Sequence, residues 1–315
     1  VSESTLFQIP QLHPLRGELL EAALGYHQDF LHERSDDPRV RVGLAASYIR
    51  LSQIYGALDR NDDAIAALQQ GLVHAQKLSQ DSRFAPEIRR RLAGVHRGDQ
   101  SIHRGTQRPS NPLAALTTLQ EGATLWESFV QQEPASAEFQ HDLAGFYVHI
   151  AGLQDAMGSR DAAIQSFQKA RGIWDKLARE NSAVPNYRAG LSFCHGMIGR
   201  LLMRNRAPEE ARQHLQRAFE LTEQLAADFP NVPKYQLELA NNYGEAGNQF
   251  VRNQQLEQAE TMYRKALSIS ERLAPEYSGV PTYQETFGIA HYNLANLPKR
   301  QDRLPEAELT YRSAI

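Results

Sequence analysis

His96, Asp99 and His103 stand at i, i+3 and i+7 of one predicted helix, and all three are metal-ligating types. Spacings of three and four put such donors on one helical face, where two imidazoles and a carboxylate can hold zinc. A structural zinc needs four protein donors and a catalytic one three plus an open position. No fourth donor or general base stands nearby in sequence. A metal-dependent enzyme working on this face is thus one alternative; a worn copy of an internal repeat is the other. Cys194 and His195 are adjacent, but neighbouring helix positions point about 100° apart, which does not make a nucleophile and its base. Arg89, Arg90, Arg91, Arg97, Arg104 and Arg108 form a basic cluster that could dock an acidic partner or phosphate. No aromatic residues interleave it, which argues against stacking single-stranded nucleic acid. A solvated helix face plus a loop is the competing reading.

The elements that carry these side chains repeat. Ala163, Ala211, Ala259 and Ala307 are 48 residues apart, as are Ala170, Ala218, Ala266 and Ala314. Phe139, Tyr187, Tyr235 and Tyr283 keep the step, and so do Pro185, Pro233 and Pro281. A fixed period of about 20–50 residues signals a repeat array, in which each unit buries its core only against neighbours. In the unit that opens at Pro185, Tyr187, Leu191, Ile198 and Leu202 fall on one helical stripe. A polar break at residues 204–208 follows, and then a second stripe, Ala211, Leu215, Ala218, Leu221 and Leu225. Proline suits the first helical turn and forces the preceding residue out of helical geometry, so each proline marks a boundary. The unit predicted is two antiparallel helices. Its two alanines, with a large residue between them, allow the helix axes to approach.

The expected fold is all-α, a right-handed superhelical solenoid of such hairpins. Residues 1–36 are a lead-in with a lone helix, and 37–315 form the array. The hairpins are placed at about 38–83, 87–132, 136–181, 184–229 and 232–277, with 280–315 truncated. Ala64/Leu68/Gly71 and Ala115/Leu119/Gly122 match the later triplets once three extra residues are placed near residues 106–112. The period argues for one elongated array, although length alone suggests about two domains. The chain begins at Val1 without methionine and stops within a predicted helix, and so reads as a piece of something longer. Its composition, 41% hydrophobic and 23% charged with net charge −3, imposes no field that demands nucleic acid as a partner. No apolar run approaches the ~20 residues of a membrane span, so no membrane insertion by this segment is expected. With Cys194 alone, no intramolecular disulfide is possible, which is compatible with a cytoplasmic setting.

The pattern resembles the tetratricopeptide repeat in a longer form. The first helix reads Tyr48-Leu51-Ser52-Tyr55 in one unit and Tyr243-Ala246-Gly247-Phe250 in another. The second helix carries Ala, an aromatic or Leu, and Ala. His195 and His291 replace the first aromatic, where packed rings are expected; Gln154 and Pro298 replace the last, and Pro298 should kink or end its helix. Trp126 and Trp174 follow the stripe positions Leu125 and Ile173, and either cover an inter-repeat seam or offer an exposed handle. Runs such as Tyr263-Arg264-Lys265-Ala266-Leu267, followed by Val280-Pro281-x-Tyr283, are also similar to arrays downstream of large bacterial serine/threonine protein kinases. The stretch from Leu15 to Leu24 looks like the helix that enters such an array. The kinase glycine loop, catalytic loop and metal-binding Asp-Phe-Gly are absent from this sequence.

The resemblance implies a non-catalytic scaffold for protein–protein interaction, without a cofactor, as a regulatory or recruitment region of a larger signalling protein. A transcriptional regulator or a signalling ATPase are alternative parents. It also implies a concave wall lined by first helices. The motif places Arg200, Arg204, Asn241, Asn248, Arg252, Asn293, Asn296 and Arg300 on or near that wall. Asparagine offers donors and an acceptor, and arginine a rigid fork for carboxylates. A groove so lined suits an extended peptide or a helix.

Overall fold

The computed structural model describes residues 38–79 and 109–300, except 59, 206, 279 and 280, together with Glu18, Ala22, Gly25 and Leu92. The elements described are all helices: α1 (Pro38–Ala57), α2 (Asn61–Ser79), α3 (Pro112–Gln132), α4 (Ala137–Ala156), α5 (Arg160–Glu180), α6 (Pro185–Arg204), α7 (Pro208–Asp228), α8 (Pro233–Arg252), α9 (Leu256–Glu276) and α10 (Pro281–Arg300). From α3 onward the starts of alternate helices fall 48 apart: 112, 160, 208, 256 and 137, 185, 233, 281. α2 starts 51 before α3, three more than the period.

The helix ends are cut by chemistry that recurs at the same step. Pro112, Pro185 and Pro233 occupy first-turn positions, where the missing N–H would lack a helical acceptor anyway. Asn111 caps α3 by accepting from the Ala114 N–H at 3.1 Å, and Ser136 caps α4 by accepting from Phe139 at 3.3 Å. In the α4–α5 and α8–α9 hairpins the turn is a Schellman motif. The Ser159 N–H donates to the Gln154 carbonyl at 2.8 Å and Gly158 to Asp155 at 2.9 Å. The same bonds run from Gln255 to Phe250 at 2.9 Å and from Gln254 to Val251 at 3.0 Å. The motif needs a left-handed residue, and the two are Gly158 (φ 81°) and Gln254 (φ 60°).

The chain divides into two compact units, Val1–Leu215 and Gln216–Ile315, with the boundary inside α7. In the first, α1 pairs with α2 and α4 with α5, while α3 packs on α4 and α5 on α6. Its core includes Ile49, Leu72, Leu119, Trp126, Phe129, Phe139 and Phe146. Trp126 and Trp174 are 0% and 2% exposed, so they serve the seam and not a handle. The Trp126 indole donates to Asp142 at 3.3 Å and the Trp174 indole to His141 Nδ1 at 3.1 Å. Trp174 presses on α6 where a Cβ on Gly190 would come within 2.4 Å of its ring.

In the second unit α8 pairs with α9, and α10 packs on both. Ala259, Tyr263, Leu294 and Leu297 form its buried cluster. A Cβ on Gly247 would lie 2.4 Å from the Tyr263 ring, which only glycine permits at this crossing. Gln236 of α8 and Gln284 of α10, 48 apart, each donate to a carbonyl of the preceding helix, Ala226 at 2.7 Å and Ala274 at 2.6 Å. Pro298 does not end its helix, since α10 continues to Arg300. α9 likewise holds Pro275 in its last turn, where a lost hydrogen bond has little helix beyond it to misdirect.

Candidate functional site

The residues assigned to a ligand groove lie on first helices in both units. On α6, Arg200 is exposed and Arg204 grips Asp155 of α4 through one nitrogen, at 3.0 and 3.2 Å to the two carboxylate oxygens. A ligand carboxylate would therefore compete with Asp155 for that fork. On α8, Asn241, Asn248 and Arg252 follow at i, i+7 and i+11, one stripe of the helix. Asn241 is exposed, and its Oδ1 accepts from Thr286 of α10 at 3.2 Å. Asn248 Oδ1 accepts from the Tyr263 hydroxyl at 2.7 Å, which aims its NH2 group as the donor to spare. Arg252 is exposed and donates to Gln249 of its own helix at 3.0 and 3.2 Å. On α10, Asn293 and Asn296 are half-buried, and the Asn296 amide donates to the Tyr292 carbonyl at 2.9 Å. The Arg300 side chain lies outside the described residues.

The other candidates separate clearly. His96, Asp99 and His103 lie outside the described residues, as do Arg89, Arg90, Arg91, Arg97, Arg104 and Arg108. Among the described residues no three His, Cys, Asp or Glu side chains form a metal-holding group. Cys194 is fully buried, and burial pushes its thiol far above its ordinary pKa, the opposite of an activated nucleophile. His291 is buried with its ring edge-on to Phe287 at 4.5 Å. His195 is half-buried against His214. A cleft of about 490 Å³ between α2 and α3 is lined by Ser79, Thr117, Thr124 and Ser128 among others. Each of these hydroxyls is spent on a carbonyl of its own helix, so none of the four is left to bind a guest there.

Two features escaped sequence reasoning. Tyr147 donates to Glu127, with Lys169 Nζ 5.0 Å from its ring centre. Twice 48 residues on, Tyr243 donates to Glu223 at 2.9 Å, with Lys265 Nζ at 5.1 Å. Burial, then the Glu223 contact, pushes the Tyr243 hydroxyl up to about 12. The doubled period was the signal: tyrosine at 147 and 243 alternates with histidine at 195 and 291. The second feature is the Gln236 and Gln284 clamp, visible only once helix ends were placed against their neighbours.

The tetratricopeptide-repeat family model matches residues 45–72, which span the end of α1 and the start of α2. No curated protein matches the chain. Among solved structures, BtubC (BKLC) from P. vanneervenii is similar with a TM-score of 0.55 and 18% identity, over 82% of this chain and 89% of that one. A Podosopora anserina putative kinesin light chain with nearly identical TPR-like repeats shares 19% identity over 63% of this chain and 86% of that one, with a TM-score of 0.36. The first likeness shows the fold: an all-α array of tetratricopeptide-like helix hairpins. Repeats of this kind are in general scaffolds for protein–protein interaction, and no described helix is long and apolar enough to cross a membrane.

Proposed function

We propose that this chain is a non-catalytic scaffold that holds a protein segment, an extended peptide or a helix, along the polar stripe of its first helices. One observation carries the reading. The α8 stripe presents Asn241, Asn248 and Arg252 on a rigid helix, and Tyr263 fixes the Asn248 carboxamide from behind. A preset donor and an exposed guanidinium suit the backbone carbonyls and acidic side chains of a peptide. Asn296 repeats the Asn248 position on α10, so the pattern recurs on the two first helices of the second unit. Within the first unit, taken by itself, Arg200 and Arg204 are the candidates for such contacts, with Arg204 exchanging Asp155 for the ligand. The parent is a larger signalling protein, a serine/threonine kinase being the form the sequence resembles. The setting is cytoplasmic.

The test is an array of acidic peptides read by fluorescence anisotropy. Asn248→Ala with Arg252→Ala should weaken the best peptide by about tenfold or more, the size of one or two charge-assisted hydrogen bonds. Unchanged binding would place the ligand elsewhere. Reading the coding sequence upstream of the Val1 codon tests the parent: a kinase domain supports it, and a DNA-binding or ATPase domain replaces it.

A further inference from the structure

His195 and His214 are departures from the repeat that meet. At the position of His195 the neighbouring units carry Tyr147 and Tyr243, whose hydroxyls reach back to a glutamate on the preceding second helix. At the position of His214 they carry Ser166 and Met262. Only in the α6–α7 hairpin, among the described residues, do both positions become histidine, and there the two Nδ1 atoms lie 3.1 Å apart. The ring centres are 5.0 Å apart and both rings are partly open to solvent.

We propose that His195 and His214 chelate a divalent late transition metal, of the zinc, nickel or copper class, through their Nδ1 atoms. Imidazole–metal bonds of about 2.1 Å opened by about 95–100° end about 3.1 Å apart, between square and tetrahedral geometry. Here that separation is an Nδ1–H···Nδ1 hydrogen bond, one ring donating and the other accepting, and a metal would replace the shared proton at about the same separation. Both rings then carry their proton on Nε2, leaving the Nδ1 lone pairs to the ion. Burial and then Arg171 of α5 disfavour positive charge at His214, and Glu210, one turn before it on α7, offsets them only in part, so the site binds less tightly than a closed four-ligand centre. The open coordination positions take water or a donor from a bound partner. Bridging α6 and α7, the ion would staple this hairpin and stabilise the folded state by mass action. The inference is independent of the peptide stripe, and either can fail alone.

The experiment is calorimetric titration of the whole chain with Zn²⁺, repeated with Ni²⁺, and a melting curve at each metal concentration. His195→Tyr restores the residue of the matched positions, and His214→Ser restores that of position 166, so both are built to fold; circular dichroism checks it. Expected are one ion per chain, a weakening of about tenfold or more in each variant, and a metal-dependent rise in melting temperature that both variants lose. Binding should persist in His96→Ala with His103→Ala. Binding no tighter than about 1 mM, binding that survives either single substitution, or binding lost with the His96 and His103 pair overturns the proposal.

Discussion

The α4–α5 hairpin of the first unit and the α8–α9 hairpin of the second are the same device, twice 48 residues apart, used differently. Both bury paired alanines, Ala163 and Ala170 in one and Ala259 and Ala266 in the other. Both seat a tyrosine between a glutamate and a lysine. They part where the helices cross. The first has Ala151, Gly152 and Phe167, an apolar contact; the second has Gly247, Asn248 and Tyr263, in which a hydroxyl and a carboxamide appear together and bond. The first also buries a polar pair, Ser166 donating to Gln154 at 2.8 Å, where the second has Met262 and Phe250. The polar chemistry thus moves from the Ser166–Gln154 pair of the first hairpin to the Asn248–Tyr263 pair of the second. A repeat tolerates this because its alanine seam and its turns hold the hairpin closed independently of that position.

The sharpest break of this equivalence is at Trp174, whose match in the second hairpin is Ser270. Trp174→Ala should cost about 3–5 kcal/mol by opening a cavity, whereas Ser270→Ala, which loses a hydroxyl shared between the Ala266 and Leu267 carbonyls, should cost about 1 kcal/mol. Urea unfolding with site-resolved amide exchange reads both; equal costs would end the claim that the first unit leans on its indole.

Acid comes next. His149 is fully buried in α4, and burial pushes its pKa down to about 4, whereas the matched Glu245 is exposed. The folded state keeps His149 neutral while the unfolded chain protonates near 6.5. Its contribution is therefore complete above pH 6.5 and is lost as pH falls toward 4, on the order of 1–3 kcal/mol. Exchange in α4 should quicken over that window, and His149→Gln should flatten the change.

Gly247→Ala places a methyl into the Tyr263 ring and should cost about 1–3 kcal/mol, although Ala151 is the native residue at the matched position. Tyr263→Phe makes the second hairpin resemble the first; it should cost about 1 kcal/mol in melting experiments and weaken peptide binding by releasing Asn248. The smallest effect has the opposite sign: Gln254→Gly, copying Gly158, should stabilise by up to about 1 kcal/mol by relieving a left-handed non-glycine. A loss of stability there would show that the Gln254 side chain outweighs its backbone strain.

Much of the fold was legible before any coordinates. The prolines at 185, 233 and 281 start helices, and the stripe Ala211, Leu221, Leu225 is buried as helical spacing requires. Ala218 of the same stripe is buried too, and Leu215 is half-buried. These are local matters, decided by backbone geometry and by which face of a helix avoids water. The candidate site was less legible. Arg204 carries the same side chain as Arg252, yet one holds Asp155 from another hairpin and the other Gln249 from its own helix. Nothing within either helix announces that difference.

The amino-acid order alone determined the helices, their 48-residue step and the seam of small residues, because periodicity and turn chemistry act within a few residues of chain. Tertiary structure decided which polar groups are spent and which remain: Asp155 on Arg204, Tyr263 behind Asn248, His214 against His195. Those pairings join different helices, and hydrogen bonds form or fail within a few tenths of an ångström, a distance that packing sets and sequence spacing does not.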